Sequence, residues 1–68
     1  RLFKETFNLS PIQYLIRLRI AKACALLNDK TLTVSEIAVR VGFDDSNYFS
    51  RQFKQVIGVS PRVYRQRT

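Results

Sequence analysis

Residues 33–58 read TVSEIAVRVGFDDSNYFSRQFKQVIG, a stretch that carries helix signals on both sides of a glycine. Thr33 and Glu36 have the spacing of a capping box, which predicts the start of a short helix. Three apolar residues of this helix are expected to face inward: Ile37, Ala38 and Val41. Gly42 is expected to end the helix, because glycine adopts the backbone conformation that a tight turn needs.

A second helix is predicted after the turn Asp44-Asp45, with Asp45 or Ser46 as its cap and its end near Ile57. Its buried side should hold Phe49, Phe53, Val56 and Ile57. Ala38 is small enough to let two helices cross closely, and Phe43 would fill the angle between them. The stretch therefore predicts a helix-turn-helix module in an all-α fold.

The opposite side of this second helix combines three polar groups that suit nucleic acid. At 100° per residue, Asn47, Arg51 and Lys54 lie together, away from Phe49 and Phe53. Asparagine can pair with adenine and arginine with guanine, whereas lysine can neutralise a phosphate. The plainer interpretation is a solvated polar face that serves solubility alone.

The chain also contains an internal repeat. RLFKETFNLSPIQY begins at Arg1, and a similar stretch, RQFKQVIGVSPRVY, begins at Arg51. Both copies contain a residue tolerant of left-handed backbone, an apolar residue, a serine cap and a proline: Asn8-Leu9-Ser10-Pro11 and Gly58-Val59-Ser60-Pro61. Each copy therefore predicts a helix end, a tight corner and a new helix start.

A long helix is predicted from Pro11 to about Asn28, with Ser10 and Gln13 as a capping box. We expect an inward apolar stripe of Tyr14, Leu15, Leu18, Ala21, Ala25 and the leucines beyond. The basic residues Arg17, Arg19 and Lys22 are expected on the other side. A short helix over 61–67 should close the chain.

The 68 residues suit one small domain with a net charge of +7 and no histidine. The net charge is +3 over residues 1–19 and +5 over residues 51–68, but −1 over residues 20–50. The positive charge therefore lies in the two copies of the repeat, which favours a polyanion partner. No apolar run exceeds the five residues 23–27, and the lone Cys24 is best explained as a small core residue. We therefore expect no membrane partner, no metal, no cofactor and no enzymatic activity.

The stretch EIAVRVGFDDSNYFSRQFKQVIGVSPRVYR, residues 36–65, resembles the signature of the DNA-binding domain of AraC/XylS-type bacterial transcription regulators. SPIQYLIRLRIAKACALL, residues 10–27, resembles the linker helix of that family. The resemblance implies two helix-turn-helix modules joined by a long helix, the first of them truncated here. In this interpretation residues 1–9 end the first module, 10–29 form the linker helix, 33–58 form the second module and 60–68 form a terminal helix.

The resemblance also implies roles for individual residues in binding double-stranded promoter or operator DNA. The expected base-reading residues are Ser46, Asn47, Arg51 and Arg1, which matches Arg51 in the repeat. The expected phosphate contacts are Ser50, Lys54, Lys4 and Arg40. The resemblance implies a transcription activator that acts in the bacterial cytoplasm, associated with the nucleoid. RNA polymerase is a further candidate partner. Any oligomerisation would use a domain outside this chain. The alternatives are a basic helical RNA-binding module and a protein-interaction module.

Overall fold

The computed structural model describes residues 10–67, which contain four α-helices and no β-strand. The helices are α1 (Pro11–Leu26), α2 (Val34–Arg40), α3 (Ser46–Ile57) and α4 (Pro61–Arg67). The all-α prediction is confirmed, and α3 begins and ends where the sequence predicts. The predicted end of a first module at residues 1–9, including Asn8, lies outside the described residues. Within the part that is described, no helix is long and apolar enough to cross a membrane.

Two capping boxes start the first two helices, as the sequence predicts. At α1, the Ser10 hydroxyl accepts from the Gln13 amide at 3.2 Å, and the Gln13 side chain accepts from the Ser10 amide at 3.2 Å. At α2, Thr33 and Glu36 make the same pair of bonds at 3.1 and 2.8 Å. Each box satisfies two amides that the first helical turn leaves without a partner.

The core is apolar and draws on α1, α2, α3 and the turn between α2 and α3. Its buried residues are Ile20, Ala23, Leu27, Ile37, Ala38, Val41, Phe43, Phe49 and Phe53. Three aromatic contacts run through the core. Two are tilted, from Phe43 to Phe49 at 5.2 Å and from Phe49 to Phe53 at 5.8 Å, and one is edge-on, from Phe53 to Tyr64 of α4 at 5.6 Å. Because α3 supplies the two central rings, its orientation is fixed by the core.

The predicted inward stripe of α1 is wrong except at its last leucines, where Leu27 is fully buried and Leu26 packs against the core. Leu15 and Leu18 are 44% and 46% exposed, whereas Ile20 and Ala23 are fully buried. Ala21 and Ala25 are also exposed, and Tyr14 is half-buried. The buried stripe is instead Ile16, Ile20, Ala23 and Leu27, with Ile16 packed at its edge. Both stripes have helical spacing, since α1 is apolar on more than one side, so periodicity alone could not choose between them.

The end of α1 and the burial of Ile57 also differ from the prediction. Helix α1 ends at Leu26 because Asn28 and Asp29 donate to carbonyls three residues back, at 3.3 and 3.0 Å, which tightens the last turn. Ile57, expected on the buried side of α3, is 37% exposed at the last residue of that helix.

Helix α4 is fastened to the loop between α1 and α2 by Arg65. The Arg65 guanidinium donates to the carbonyls of Leu27, Asp29 and Leu32, at 3.1, 3.3 and 2.7 Å. Lys30 in turn donates to the Arg65 carbonyl at 3.0 Å. These bonds involve carbonyls just after the end of α1 and in the loop that follows, and they hold α4 against that loop.

Candidate nucleic-acid interface

Helix α3 separates an apolar face from a polar one. Phe49 and Phe53 are fully buried, and the opposite side exposes Asn47, Arg51 and Lys54, spaced four and three residues apart. Side chains at these spacings lie on one side of a helix. The structure therefore brings together the three residues that the sequence placed on the outward stripe.

The start of α3 is capped by Asp45, which decides between the two predicted caps. The Asp45 carboxylate accepts from the Asn47 amide at 2.8 Å, and the backbone of Asp45 is extended. Ser46 is thereby the first helical residue and is half-buried, whereas Asn47 is exposed. The cap therefore holds the backbone of Asn47 in the first turn of α3.

The turn before α3 is built on Gly42, whose φ is +104°. The Gly42 amide donates to the Val39 carbonyl at 3.1 Å, and the Phe43 amide donates to the Ala38 carbonyl at 2.8 Å. These two bonds form a Schellman motif. Phe43 follows at 4% exposure and packs on Phe49. The angle between α2 and α3 is thus set by a backbone motif and by a buried ring.

The remaining predicted site residues are dispersed. Ser50 is half-buried on the flank of α3. Arg40 is exposed but lines a groove with Leu18 and Lys22 of α1, whereas Arg51 and Lys54 line a separate shallow groove near Gly58. Arg1 and Lys4 lie outside the described residues.

The sequence interpretation missed two side chains beside this face. The Arg19 guanidinium, expected on the outer side of α1, donates to the Gly42 carbonyl at 3.1 Å and lies 6.0 Å from the Phe43 ring. Tyr48 packs its ring on Phe43 at 5.8 Å and lies 5.8 Å below the Arg51 guanidinium. The spacing of Tyr48 and Arg51, three residues apart on a helix, is a signal that could have indicated their contact.

Three carboxylates of the described region accept hydrogen bonds from nearby backbone amides: Asp29, Glu36 and Asp45. Hydrogen bonds from the amide and hydroxyl of Thr33 lower the pKa of Glu36, and bonds from the hydroxyl and amide of Thr31 lower the pKa of Asp29. Within residues 10–67, no group of three or more histidine, cysteine or acidic side chains could hold a metal ion. The chemistry of the α3 face is that of hydrogen-bond donors and positive charge.

Comparison with known proteins agrees with this geometry. A family model described as a helix-turn-helix domain matches residues 1–67. The HTH-type transcriptional activator RhaR of Cronobacter sakazakii is 50% identical over 66 residues, which is 97% of this chain and 23% of that protein. The MmsAB operon regulatory protein of Pseudomonas aeruginosa is 45% identical over 65 residues, 96% of this chain and 21% of that protein.

A solved structure is also similar: the C-terminal domain of the two-component response regulator yesN from Fusobacterium nucleatum. It superposes with a TM-score of 0.82 at 41% identity, over 94% of this chain and 62% of that one. The chain spans less than a quarter of the length of the two curated relatives. With a family match over nearly its whole length, the chain belongs to the AraC-type helix-turn-helix family of DNA-binding transcription regulators.

Proposed function

We propose that this chain binds a specific double-stranded DNA sequence by placing α3 in the major groove, and that it serves a bacterial transcription activator. The observation that carries the proposal is the exposed row of Asn47, Arg51 and Lys54 on a helix whose opposite face buries Phe49 and Phe53 completely. A helix held rigidly by its core can present side chains to base edges at a fixed angle. The net charge of +7 supports a polyanion partner.

The proposed roles follow from the chemistry of each side chain. Arg51 has a planar fork that can donate to two acceptors of guanine, and Asn47 can pair with adenine in the same way. Ser46, next to Asn47, and Arg1, which matches Arg51 in the repeat, complete the proposed base-reading set. The proposed phosphate contacts are Ser50, Lys54, Lys4 and Arg40.

We further propose that α1 is the linker between two DNA-reading modules, with residues 1–9 as the end of the first. Its 16 residues correspond to about 24 Å of helix. That length suits two reading helices about one DNA turn, or about 34 Å, apart. The name of RhaR, a transcriptional activator, supports activation as the role of this chain. We propose that the chain acts in the cytoplasm by binding without catalysis, with RNA polymerase as a candidate partner and any oligomerisation in another domain.

RNA binding is the less favoured alternative, because readers of single-stranded RNA stack bases on exposed aromatic rings. Phe43, Phe49 and Phe53 are instead buried, and Tyr48 is 38% exposed with Arg51 over its ring. Competition between duplex DNA and RNA of matched sequence tests this point. Preference for RNA would contradict the proposal, and failure to bind either at low salt would favour a protein-interaction module.

The decisive experiment compares Arg51→Ala with Lys54→Ala on a duplex selected by the wild-type protein from a randomised pool. Arg51→Ala should weaken the selected duplex by about 1–3 kcal/mol and remove the preference at one base pair. Lys54→Ala should weaken selected and scrambled duplexes about equally and lower the slope of log affinity against log salt by about one.

Lys22→Ala is the matched control, since Lys22 is an exposed cation on α1 rather than on the α3 face. It should leave base preference intact. All variants must retain the helicity of the wild type. If Arg51→Ala keeps the full base preference of the wild type, α3 is not the reading helix.

A further inference from the structure

Two adjacent aromatic rings, with an arginine at each end, form a row along one surface that joins α1 to α3. The Arg19 guanidinium lies 6.0 Å from the Phe43 ring, the Phe43 ring lies 5.8 Å from the Tyr48 ring, and the Arg51 guanidinium lies 5.8 Å from the Tyr48 ring. All four line the same groove between the two helices. The row connects the core of the module to the exposed tip of Arg51.

The two rings of this row are held in place by the core, which Phe43 contacts directly. Phe43 is 4% exposed and packs against Phe49, which is fully buried. Tyr48 is 38% exposed, but its ring tilts against Phe43 at 55°. A ring that rests on a buried neighbour has less freedom than an exposed side chain usually keeps, so Tyr48 offers Arg51 a fixed surface.

Arg51 gains from such a surface because its side chain has many rotamers and is otherwise exposed. Its distance from the Tyr48 ring is within the range of a cation–π contact, and the flat guanidinium can stack while its N–H groups point outward. A side chain ordered before binding loses less entropy when the complex forms. Stacking also restricts the plane in which the fork meets a base, which matters for a bidentate contact.

We propose that Tyr48 is a positioning residue for DNA reading: its ring holds the Arg51 guanidinium ready for a base without itself contacting DNA. The inference rests on the proposed role of Arg51 as a base reader. It assigns the effect to the aromatic face of Tyr48 and not to its hydroxyl. Phenylalanine should therefore substitute for Tyr48, whereas leucine, which keeps apolar bulk but has no ring, should not.

The first test observes the free protein by NMR. In the wild type, the side-chain protons of Arg51 should be shifted upfield by the ring current of Tyr48, and its Nε–H group should be ordered. Tyr48→Phe should preserve both signals, and Tyr48→Leu should move both toward those of a free arginine. Wild-type Arg51 signals without a ring-current shift would overturn the proposal, whatever the variants do.

The second test measures affinity for the selected duplex in a cycle with Arg51→Ala. Tyr48→Leu should weaken binding to the selected duplex about three- to fivefold, with a smaller loss on a scrambled duplex. Tyr48→Phe should keep the wild-type affinity. In the Arg51→Ala background, Tyr48→Leu should cost nothing further. An equal loss in that background would mean that Tyr48 contacts DNA itself and would overturn the proposal.

The cycle also separates two kinds of failure. If Arg51→Ala leaves base preference unchanged, the proposed reading function is wrong. If Arg51→Ala removes base preference but Tyr48→Leu has no effect on affinity, the reading function stands and the positioning role of Tyr48 is wrong.

Discussion

Two helices of this protein end at a glycine in the left-handed conformation, and the two ends are built differently. Gly42 after α2 has φ +104° and Gly58 after α3 has φ +102°. At Gly42 two backbone bonds form a Schellman motif, whereas at Gly58 the amide donates to the Lys54 carbonyl at 2.8 Å, as in the simpler αL motif. The backbone requirement is the same at both positions.

The surroundings of the two glycines differ much more than their backbones. A methyl group placed on Gly42 would lie 2.9 Å from Nε of Arg19, whereas one placed on Gly58 would meet nothing within 4 Å. Gly42 therefore satisfies both a conformational and a packing requirement, and Gly58 satisfies the conformational one alone. The turn that orients α3 is held by contacts distant in sequence, and the corner after α3 is held locally.

The largest effect is expected for Gly42→Ala. The left-handed backbone costs an alanine about 1–2 kcal/mol, and displacing the Arg19 side chain from Gly42 and Phe43 adds to it, so we expect a loss of about 2–3 kcal/mol in the free energy of unfolding. Gly58→Ala should lose only the contribution of the left-handed backbone, about 1–2 kcal/mol. Denaturant titration of both variants measures the difference.

Arg19→Ala supplies the control for this difference. In that background the added methyl group meets no guanidinium, so Gly42→Ala should cost about as much as Gly58→Ala, or about 1–2 kcal/mol. An unchanged cost of Gly42→Ala in the two backgrounds would show that Arg19 does not contribute to the requirement for glycine.

A smaller effect is expected at the open corner. Gly58→Val should destabilise the fold by roughly 1–2 kcal/mol, because a β-branched residue tolerates positive φ poorly, and Gly58→Asn should cost less. Asparagine stands at the matching position of the repeat, Asn8. Equal midpoints for the two variants in denaturant would contradict the conformational explanation.

The same contrast between local and distant contacts explains how far the sequence could predict the structure. Caps, glycine ends and the outward row of α3 depend on residues within a few positions of one another, and the predictions for Thr33, Gly58 and Arg51 gave the placements found here. The buried side of α1 could not be chosen, because it depends on where α2 and α3 cross that helix. Two apolar stripes fitted the same period.

The long-range polar contacts could not be predicted for the same reason. Arg19 reaches a carbonyl 23 residues away, and Arg65 reaches carbonyls 33 to 38 residues away. Nothing in the spacing of these arginines distinguishes them from solvated cations. For the candidate site, the sequence predicted which residues α3 exposes. The contact between Arg51 and the Tyr48 ring is local, and its three-residue spacing was a signal that the prediction did not use.

The starts of α1 and α2 differ in a local feature, the charge of the residue that closes the capping box. Helices α1 and α2 both begin with a capping box, but the box of α1 is closed by the neutral Gln13 and that of α2 by the ionisable Glu36. Bonds from the amide and hydroxyl of Thr33 lower the pKa of Glu36. The charge therefore makes the second box sensitive to pH and the first insensitive.

The smallest effect is expected for Glu36→Gln, and it should depend on pH. A carboxylate whose pKa is lowered by folding contributes stability above its unfolded pKa, and that contribution is lost as the pH falls through the folded pKa. Glu36→Gln should therefore unfold near the wild-type temperature at pH 7, because glutamine keeps the acceptor, as Gln13 does in α1. Between about pH 5 and pH 3 its midpoint should fall less steeply than that of the wild type, since the titrating group is gone. The reverse change, Gln13→Glu, should add acid sensitivity at α1. Thermal midpoints of the three proteins across this range give the comparison, and parallel curves for all three would show that neither box is linked to protonation.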